Sequence, residues 1–124
     1  MSVVLITGCS SGIGEATAAD LATHGHTVYA TARRPETLKA LADKGCHTVA
    51  LDVTNEESMA AAVAAVEDEA GSIDVLVNNA GYSQSGAVES IPLDNIRKQF
   101  ETNVFGLIRM SQLVLPGMRA AGRG

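Results

Sequence analysis

Tryptophan is absent from this 124-residue sequence, and all aromatic residues together make up only 3% of it. Small aliphatic side chains must therefore fill the core, which suits close packing of helices against a sheet. The net charge is −5 and no run of lysine and arginine occurs, which argues against nucleic-acid binding. No apolar stretch approaches the ~20 residues of a membrane span, and no signal-peptide core is present. We therefore expect neither nucleic acid nor membrane as a partner.

Cysteine is also scarce, with two residues in the sequence. Cys9 and Cys46 form no Cys-x-x-Cys pair and no metal-ligand spacing, so we expect no metal site and a reduced, cytoplasmic protein. Cys9 lies in a glycine-rich turn, where a nucleophile would be conceivable. No neighbouring residue is placed to activate it, so we interpret it as a small filler residue.

The most informative stretch follows the apolar run Val3–Ile6, which is typical of a buried parallel strand. Helical spacing of apolar residues begins shortly afterwards, and the turn between is rich in glycine and serine. Glycine permits a tight turn and close approach of an anion to backbone N–H groups, and the start of the helix adds free N–H groups and a favourable dipole. The residues predicted to meet the phosphate are Gly8, Ser10, Ser11 and Gly12, and Gly14 lets the helix pack closely on the strand.

Taken alone, this turn has two readings, because three glycines can also close an ordinary strand–helix unit. The P-loop is excluded, since it requires Gly-Lys-Ser/Thr at its end and no lysine stands here. The spacing Gly-x-x-x-Gly-x-Gly also differs from the usual dinucleotide pattern Gly-x-Gly-x-x-Gly.

Downstream, strands and helices alternate. We predict strands at His26–Ala32, Cys46–Val53 and Ile73–Val77, and a long last helix from Pro92 to Met118 with Pro116 near its end. Thr54 and Glu57 have the spacing of a capping box for the third helix. This order predicts a Rossmann-like α/β fold in one domain, residues 1–124, with a parallel sheet of order 3-2-1-4 between layers of helices.

Polar and small residues follow each predicted strand, so we expect them on one rim of the sheet. Arg33 and Arg34 follow strand two, at the position where an acidic residue would bind a ribose 2′-hydroxyl. Arginines suit a 2′-phosphate instead, so they favour NADP(H) over NAD(H). The alternative is a solvated pair of arginines in a turn. Asp52 could accept a hydrogen bond from adenine or simply precede a helix. A receiver domain is disfavoured, because the acids it needs after strand one are replaced by Gly8-Cys9-Ser10.

Asn79, Ala80 and Gly81 follow strand four and would form a floor of small residues beside the cofactor. Asn103 lies in an otherwise apolar helical stripe. We expect this asparagine to be buried, and a polar residue there usually has a hydrogen-bonding partner or stabilises a kink.

Together, Thr7–Gly14, Asp52-Val53, Asn78–Gly81 and Asn103 resemble the motifs of the short-chain dehydrogenase/reductase family over nearly the whole chain. The resemblance implies that Ser10, Ser11 and Ile13 line the pyrophosphate and nicotinamide side. It further implies that Asp52 and Val53 flank adenine, that Asn79 and Gly81 support the cofactor, and that Asn103 holds a water in a catalytic proton relay. The implied reaction reduces a carbonyl or oxidises a secondary alcohol.

The family's catalytic serine and Tyr-x-x-x-Lys pair have no counterpart here, because Tyr29 is followed at that spacing by Arg33 and Tyr82 by Gly86. The sequence therefore resembles the N-terminal, cofactor-binding part of such an enzyme, truncated before strand five, and we expect no turnover from it alone. A non-catalytic dinucleotide-binding or assembly module is the alternative. An uncovered strand-four edge and helix face lead us to expect a homo-oligomer.

Overall fold

A computed structural model describes all residues, 1–124. Four parallel strands form one sheet in the order β3-β2-β1-β4, comprising β1 (Val3–Ile6), β2 (Thr27–Ala32), β3 (His47–Ala50) and β4 (Val75–Val77). In the register, Leu5 of β1 lies between Tyr29 of β2 and Leu76 of β4. The predicted strand order is therefore confirmed.

Helices connect the strands. They are α1 (Gly12–Thr23), a 3-10 turn (Pro35–Leu38) continued by the short α2 (Lys39–Ala42), α3 (Glu56–Ala70), a 3-10 turn (Val88–Ser90), α4 (Leu93–Phe100), a π-helical segment (Glu101–Gly106) and α5 (Leu107–Ala121). The last three run without a break. None of these helices combines the length and the apolar character that crossing a bilayer requires.

Side chains alternate between two cores, one on each face of the sheet. Val4 and Ile6 of β1 pack with Ala18 of α1 and Leu41 of α2. Leu5 points to the other face and packs with residues of α3 and α5, including Val66 and Met110. The sheet is therefore the middle of three layers, as the alternation of strands and helices predicts.

Two details differ from expectation around the third strand. β3 ends at Ala50, so Asp52 and Val53 lie in the turn after it rather than within it. The predicted capping box is also wrong. Asn55 caps α3, its side chain accepting a hydrogen bond from Ser58 N at 2.9 Å, because the Thr54 hydroxyl is already bonded to the Asp52 carboxylate at 2.7 Å.

The long last helix lies where the sequence predicts it, but its C-terminal end and its winding differ from the prediction. It continues past Pro116 to Ala121, and the π-helical segment interrupts its regular winding. The segment contains Asn103, which is only half-buried rather than buried. A π-turn inserts one extra residue into the helix and re-aims the side chains around it, and such segments are frequent at functional sites.

Apolar side chains remain exposed on the outer side of the last helix and at the β4 edge. Phe100 is 52% exposed, Phe105 56% and Val75 of β4 40%. This agrees with the expected uncovered surface.

Candidate functional site

One cavity of about 980 Å³ opens at the carboxyl ends of the strands. It is built from the turns that follow all four strands and from the junction of α4 with the π-helical segment. Ten of the predicted site residues line it: Gly8, Ser10, Ser11, Ile13, Arg33, Asp52, Val53, Asn79, Ala80 and Gly81. Four do not: Gly12, Gly14, Arg34 and Asn103. The structure thus brings together residues that are up to about seventy positions apart in the chain.

The glycines of the first turn have distinct roles. Gly8 has φ +71°, and a Cβ there would lie 2.8 Å from the Ala80 Cα. A Cβ at Gly14 would collide with the Gly8 carbonyl oxygen and the Asn79 side chain. Gly12 has φ +63° with open space where its Cβ would be. Gly8 and Gly14 therefore permit close packing, whereas Gly12 supplies the left-handed backbone that starts α1.

The start of α1 presents free N–H groups near the cavity. Ser11 precedes the helix in an extended conformation and its side chain makes no capping hydrogen bond. Ile13, in the first turn, is 78% exposed and lines the cavity. Uncapped N–H groups at the positive end of a helix dipole bind anions favourably.

Asn79 ties the turn after β4 to the glycine-rich turn. Its side-chain amide donates to the carbonyl oxygen of Thr7 at 3.1 Å and to that of Gly8 at 2.9 Å. Side-chain bonds to two successive carbonyls fix the path of the turn. Ala80 and Gly81, which follow, are small residues that line the cavity.

The two arginines after β2 are placed differently. Arg33 lines the cavity, and neither arginine takes part in an ion pair. The Arg34 carbonyl accepts hydrogen bonds from Thr37 N at 3.1 Å and from the Thr37 hydroxyl at 2.6 Å, within the 3-10 turn. Of these two arginines, only Arg33 is therefore positioned to meet a ligand in this cavity.

Thr54 holds the carboxylate of Asp52 in one orientation. The Asp52 Oδ1 atom accepts from Thr54 N at 2.9 Å and from the Thr54 hydroxyl at 2.7 Å. Burial raises the pKa of Asp52, but these two bonds and the nearby Arg33 charge outweigh it, so the net pKa is lowered. The carboxylate is ionised at neutral pH, and its Oδ2 atom is left to accept a further hydrogen bond.

Asn103 does not reach the cavity, because its side-chain amide is occupied by one peptide unit. Its Oδ1 atom accepts from Tyr82 N at 3.0 Å, and its Nδ2 donates to the Tyr82 carbonyl at 2.7 Å. Both the partner and the helix irregularity expected for this residue are present. The bonds hold the segment that leads out of the cavity floor.

Seven lining residues were not anticipated: Ala32, Leu51, Thr54, Tyr82, Lys98, Glu101 and Thr102. Five of them are adjacent in sequence to residues that were, so sequence proximity to a predicted site residue was an available signal. Lys98 of α4 and Glu101 of the π-helical segment carried no sequence signal, because their approach depends on how the long last helix packs over the sheet.

Cys9 has the properties of a packing residue. It is 1% exposed, its Sγ lies 3.4 Å from the Ile6 carbonyl oxygen, and burial raises the pKa of its thiol to about 11. A thiol that stays protonated is a poor nucleophile. No group of three or more His, Cys, Asp and Glu side chains is arranged to hold a metal ion.

Comparison with known proteins adds independent information. The family model described as short chain dehydrogenase matches residues 2–124. The 3-ketodihydrosphingosine reductase of Bacteroides thetaiotaomicron is 42% identical over 123 residues, which cover 98% of this chain and 44% of that protein. The chain therefore spans less than half the length of this curated relative.

Solved structures agree with the fold. A short-chain dehydrogenase from Streptomyces avermitilis superposes with a TM-score of 0.95 at 42% identity, over 99% of this chain and 46% of that one. A metagenomic short-chain oxidoreductase in complex with NADP superposes with a TM-score of 0.90 at 32% identity, over 99% and 59% of the two chains.

Proposed function

The chain belongs to the short-chain dehydrogenase/reductase family, and we propose that it is the NADP(H)-binding portion of an oxidoreductase acting on a carbonyl or a secondary alcohol. The observation that carries the proposal is the meeting of the turns after all four strands around one cavity. In open parallel sheets, ligands bind outside the carboxyl ends of the strands where the strand order reverses. That point lies between β1 and β4 here.

The residues present fit a dinucleotide. The cavity volume of about 980 Å³ lies at the upper end of the ~300–1,000 Å³ typical of small-molecule and cofactor sites. The N-terminus of α1 with Ser10 and Ser11 would hold the pyrophosphate. Asp52 and Val53 would hold adenine, and Ile13 and the Asn79–Gly81 floor would face the nicotinamide end.

The preference for NADP(H) rests on Arg33. This arginine lines the cavity without an ion-pair partner, and the residue that ends β2 is Ala32 rather than an acid. A guanidinium group pairs well with a phosphate, whereas a 2′-hydroxyl calls for an acceptor. The NADP complex of the metagenomic relative is compatible with this proposal.

When bound, NADP(H) supplies the hydride. A carbonyl substrate then needs a proton donor, and neither tyrosine of this chain suits that task. Tyr29 is buried within β2, and burial together with the Glu69 charge raises its pKa, whereas a general acid–base tyrosine needs a lowered one. Tyr82 has Gly86 in the position of the lysine. We therefore propose cofactor binding without turnover for this chain alone.

The substrate class follows from the family and from one relative. The name 3-ketodihydrosphingosine reductase specifies reduction of a ketone in that protein. For this chain we propose only the ketone or secondary-alcohol class, because the described residues form a cofactor cavity and include no proton-donating pair.

Calorimetric titration of the chain with NADPH and NADH tests the cofactor proposal. We expect tighter binding of NADPH, and loss of that preference in Arg33→Ala. Arg34→Ala is the matched control, because Arg34 lies outside the cavity, and it should leave the preference intact. Equal affinity for the two cofactors in the unmodified chain would remove the argument for NADP(H).

A non-catalytic dinucleotide-binding or assembly module remains the second candidate, favoured by the exposed apolar side chains of β4 and the last helix. For either function we propose a homo-oligomer. Reduction of a ketone by the purified chain would contradict the proposed lack of turnover and exclude this second candidate.

A further inference from the structure

The end of α4 and the start of the π-helical segment form a wall of the cavity. Lys98 of α4 lines it, together with Glu101 and Thr102 of the segment, three and four residues further along. Residues at this spacing lie next to one another on a helix surface. The cavity therefore has a polar wall carried by a helix, facing the turns that follow the strands.

The position of this wall is determined by two contacts of the π-helical segment that continues α4. A Cβ at Gly106 would lie 2.7 Å from the Val53 carbonyl oxygen, so the segment packs directly on the turn after β3. Asn103 is bonded to both sides of the Tyr82 peptide unit. Lys98 therefore projects from a helix that is anchored to both sides of the cavity.

The Lys98 ammonium group has no carboxylate partner. Four of the nine lysines and arginines form ion pairs with Asp or Glu, namely Lys39, Arg97, Arg109 and Arg123. Of the cations without such a partner, only Arg33 and Lys98 line the cavity. In a chain with 14 acidic residues, an unpaired ammonium group with three donors is available to a ligand.

The turn after β3 offers the complementary group. The Asp52 Oδ2 atom is a free acceptor, because Thr54 occupies only Oδ1. The 6-amino group of adenine is a donor, and acceptor ring nitrogens flank it. A carboxylate and an ammonium group lining the same cavity can therefore satisfy adjacent donor and acceptor positions of one base.

We propose that Lys98 binds the adenine base of the cofactor, its ammonium group donating a hydrogen bond to a ring nitrogen beside the amino group that Asp52 binds. This inference rests on the proposed function and adds to it a specificity-determining residue on α4. Arg33 and Lys98 then have separate tasks, since Arg33 pairs with the 2′-phosphate and Lys98 with the base.

Two adenine nucleotides separate these tasks. Both 5′-AMP and 2′,5′-ADP carry the base, and only the second carries a 2′-phosphate. Lys98→Met should weaken both by the same factor, about tenfold for the loss of a charged hydrogen bond. Arg33→Ala should weaken 2′,5′-ADP alone. Lys98→Arg, which keeps a charged donor, should retain most of the affinity, and Lys44→Met controls for loss of one exposed lysine charge.

The outcomes are distinct. If Lys98→Met weakens only 2′,5′-ADP, Lys98 contacts the phosphate and the assignment to the base is wrong. If it changes neither affinity while the unmodified chain binds both nucleotides, the inference fails and the proposed function stands. If the unmodified chain binds neither nucleotide nor NADPH, the proposed function itself fails. Circular dichroism of each variant checks that the fold is retained.

Discussion

Thr7 accepts two hydrogen bonds from Asn79, one at its hydroxyl and one at its carbonyl oxygen. The Thr7 hydroxyl accepts from Asn79 N at 3.0 Å and from Ala80 N at 2.9 Å, while the Asn79 side chain donates to the Thr7 carbonyl at 3.1 Å. Thr7 is 1% exposed. These bonds hold the end of β1 against the turn after β4, so the glycine-rich turn and the small-residue floor form one unit.

Replacing Thr7 by valine keeps the shape of the side chain but removes the acceptor for two partly buried N–H groups. We expect a loss of about 1–3 kcal/mol in the free energy of unfolding, the usual cost of leaving buried donors unpaired. Urea denaturation measures it. Thr7→Ser keeps the hydroxyl and should be clearly more stable than Thr7→Val; equal stability of the two would show that the bonds contribute little.

Gly106 and Gly117 make a second pair of matched variants. Alanine at Gly106 would meet the backbone of Val53, which cannot move without shifting the cavity wall, so we expect destabilisation by about 1–3 kcal/mol and weaker nucleotide binding. Thermal unfolding and NADPH titration measure the two effects.

Alanine at Gly117 would meet only the carboxylate end of Glu67, whose Oε1 atom is buried there without a hydrogen-bond partner. That side chain can swing towards solvent, and alanine favours the helix by ~1 kcal/mol over glycine. We expect Gly117→Ala to be neutral or stabilising. A stability loss as large as that of Gly106→Ala would contradict the distinction between backbone and side-chain contacts.

Acid should weaken the ion pair at the end of α5. Hydrogen bonding from Arg123 at 2.7 Å, and from Val3 N at 2.8 Å, lowers the pKa of Asp74 below its ordinary value of 3.8. A lowered folded-state pKa contributes stability above the ordinary pKa, and this is lost as the pH falls through the folded-state value.

The difference in melting temperature between the unmodified chain and Arg123→Gln should therefore be small but measurable at pH 7 and should vanish as the pH falls from about 4 towards 2. The control is Arg119→Gln, because Arg119 is an exposed arginine in the last turn of α5, close to Arg123 in sequence, and forms no ion pair. A difference that persists unchanged at pH 2 would exclude Asp74 as its cause.

The proposed oligomer can be tested at the edge of β4. An unprotected edge strand favours pairing with a second chain, so we predict a dimer at micromolar concentration by light scattering, with the two β4 edges paired antiparallel. Val75→Lys places a charge on that edge and should produce monomers. Val88→Lys, at an 87% exposed apolar residue outside the sheet, should not. A monodisperse monomer of the unmodified chain would overturn the prediction.

Much of the fold was predictable because short-range patterns determine it. The short, β-branched apolar run Val3–Ile6 that ends near a glycine is typical of a buried strand, and the glycine-rich turn after it with the helical spacing beyond predicts a strand–turn–helix unit. The capping of α3 was mispredicted for an equally physical reason. Threonine is a common capping residue, but the Thr54 hydroxyl is bonded to the Asp52 carboxylate. Sequence spacing cannot show whether such a hydroxyl bonds to the helix backbone or to a neighbouring side chain.

The sequence by itself determined the strand order, the glycine-rich turn and most of the residues that meet at the rim, because each follows from alternation and spacing along the chain. Only the tertiary structure decided that Arg33 lines the cavity while Arg34 does not, that the last helix winds as a π-helical segment around Asn103, and that Lys98 joins the site. These depend on contacts between residues far apart in the chain, such as Gly106 on Val53, and the energy of such contacts is set by how the layers pack together.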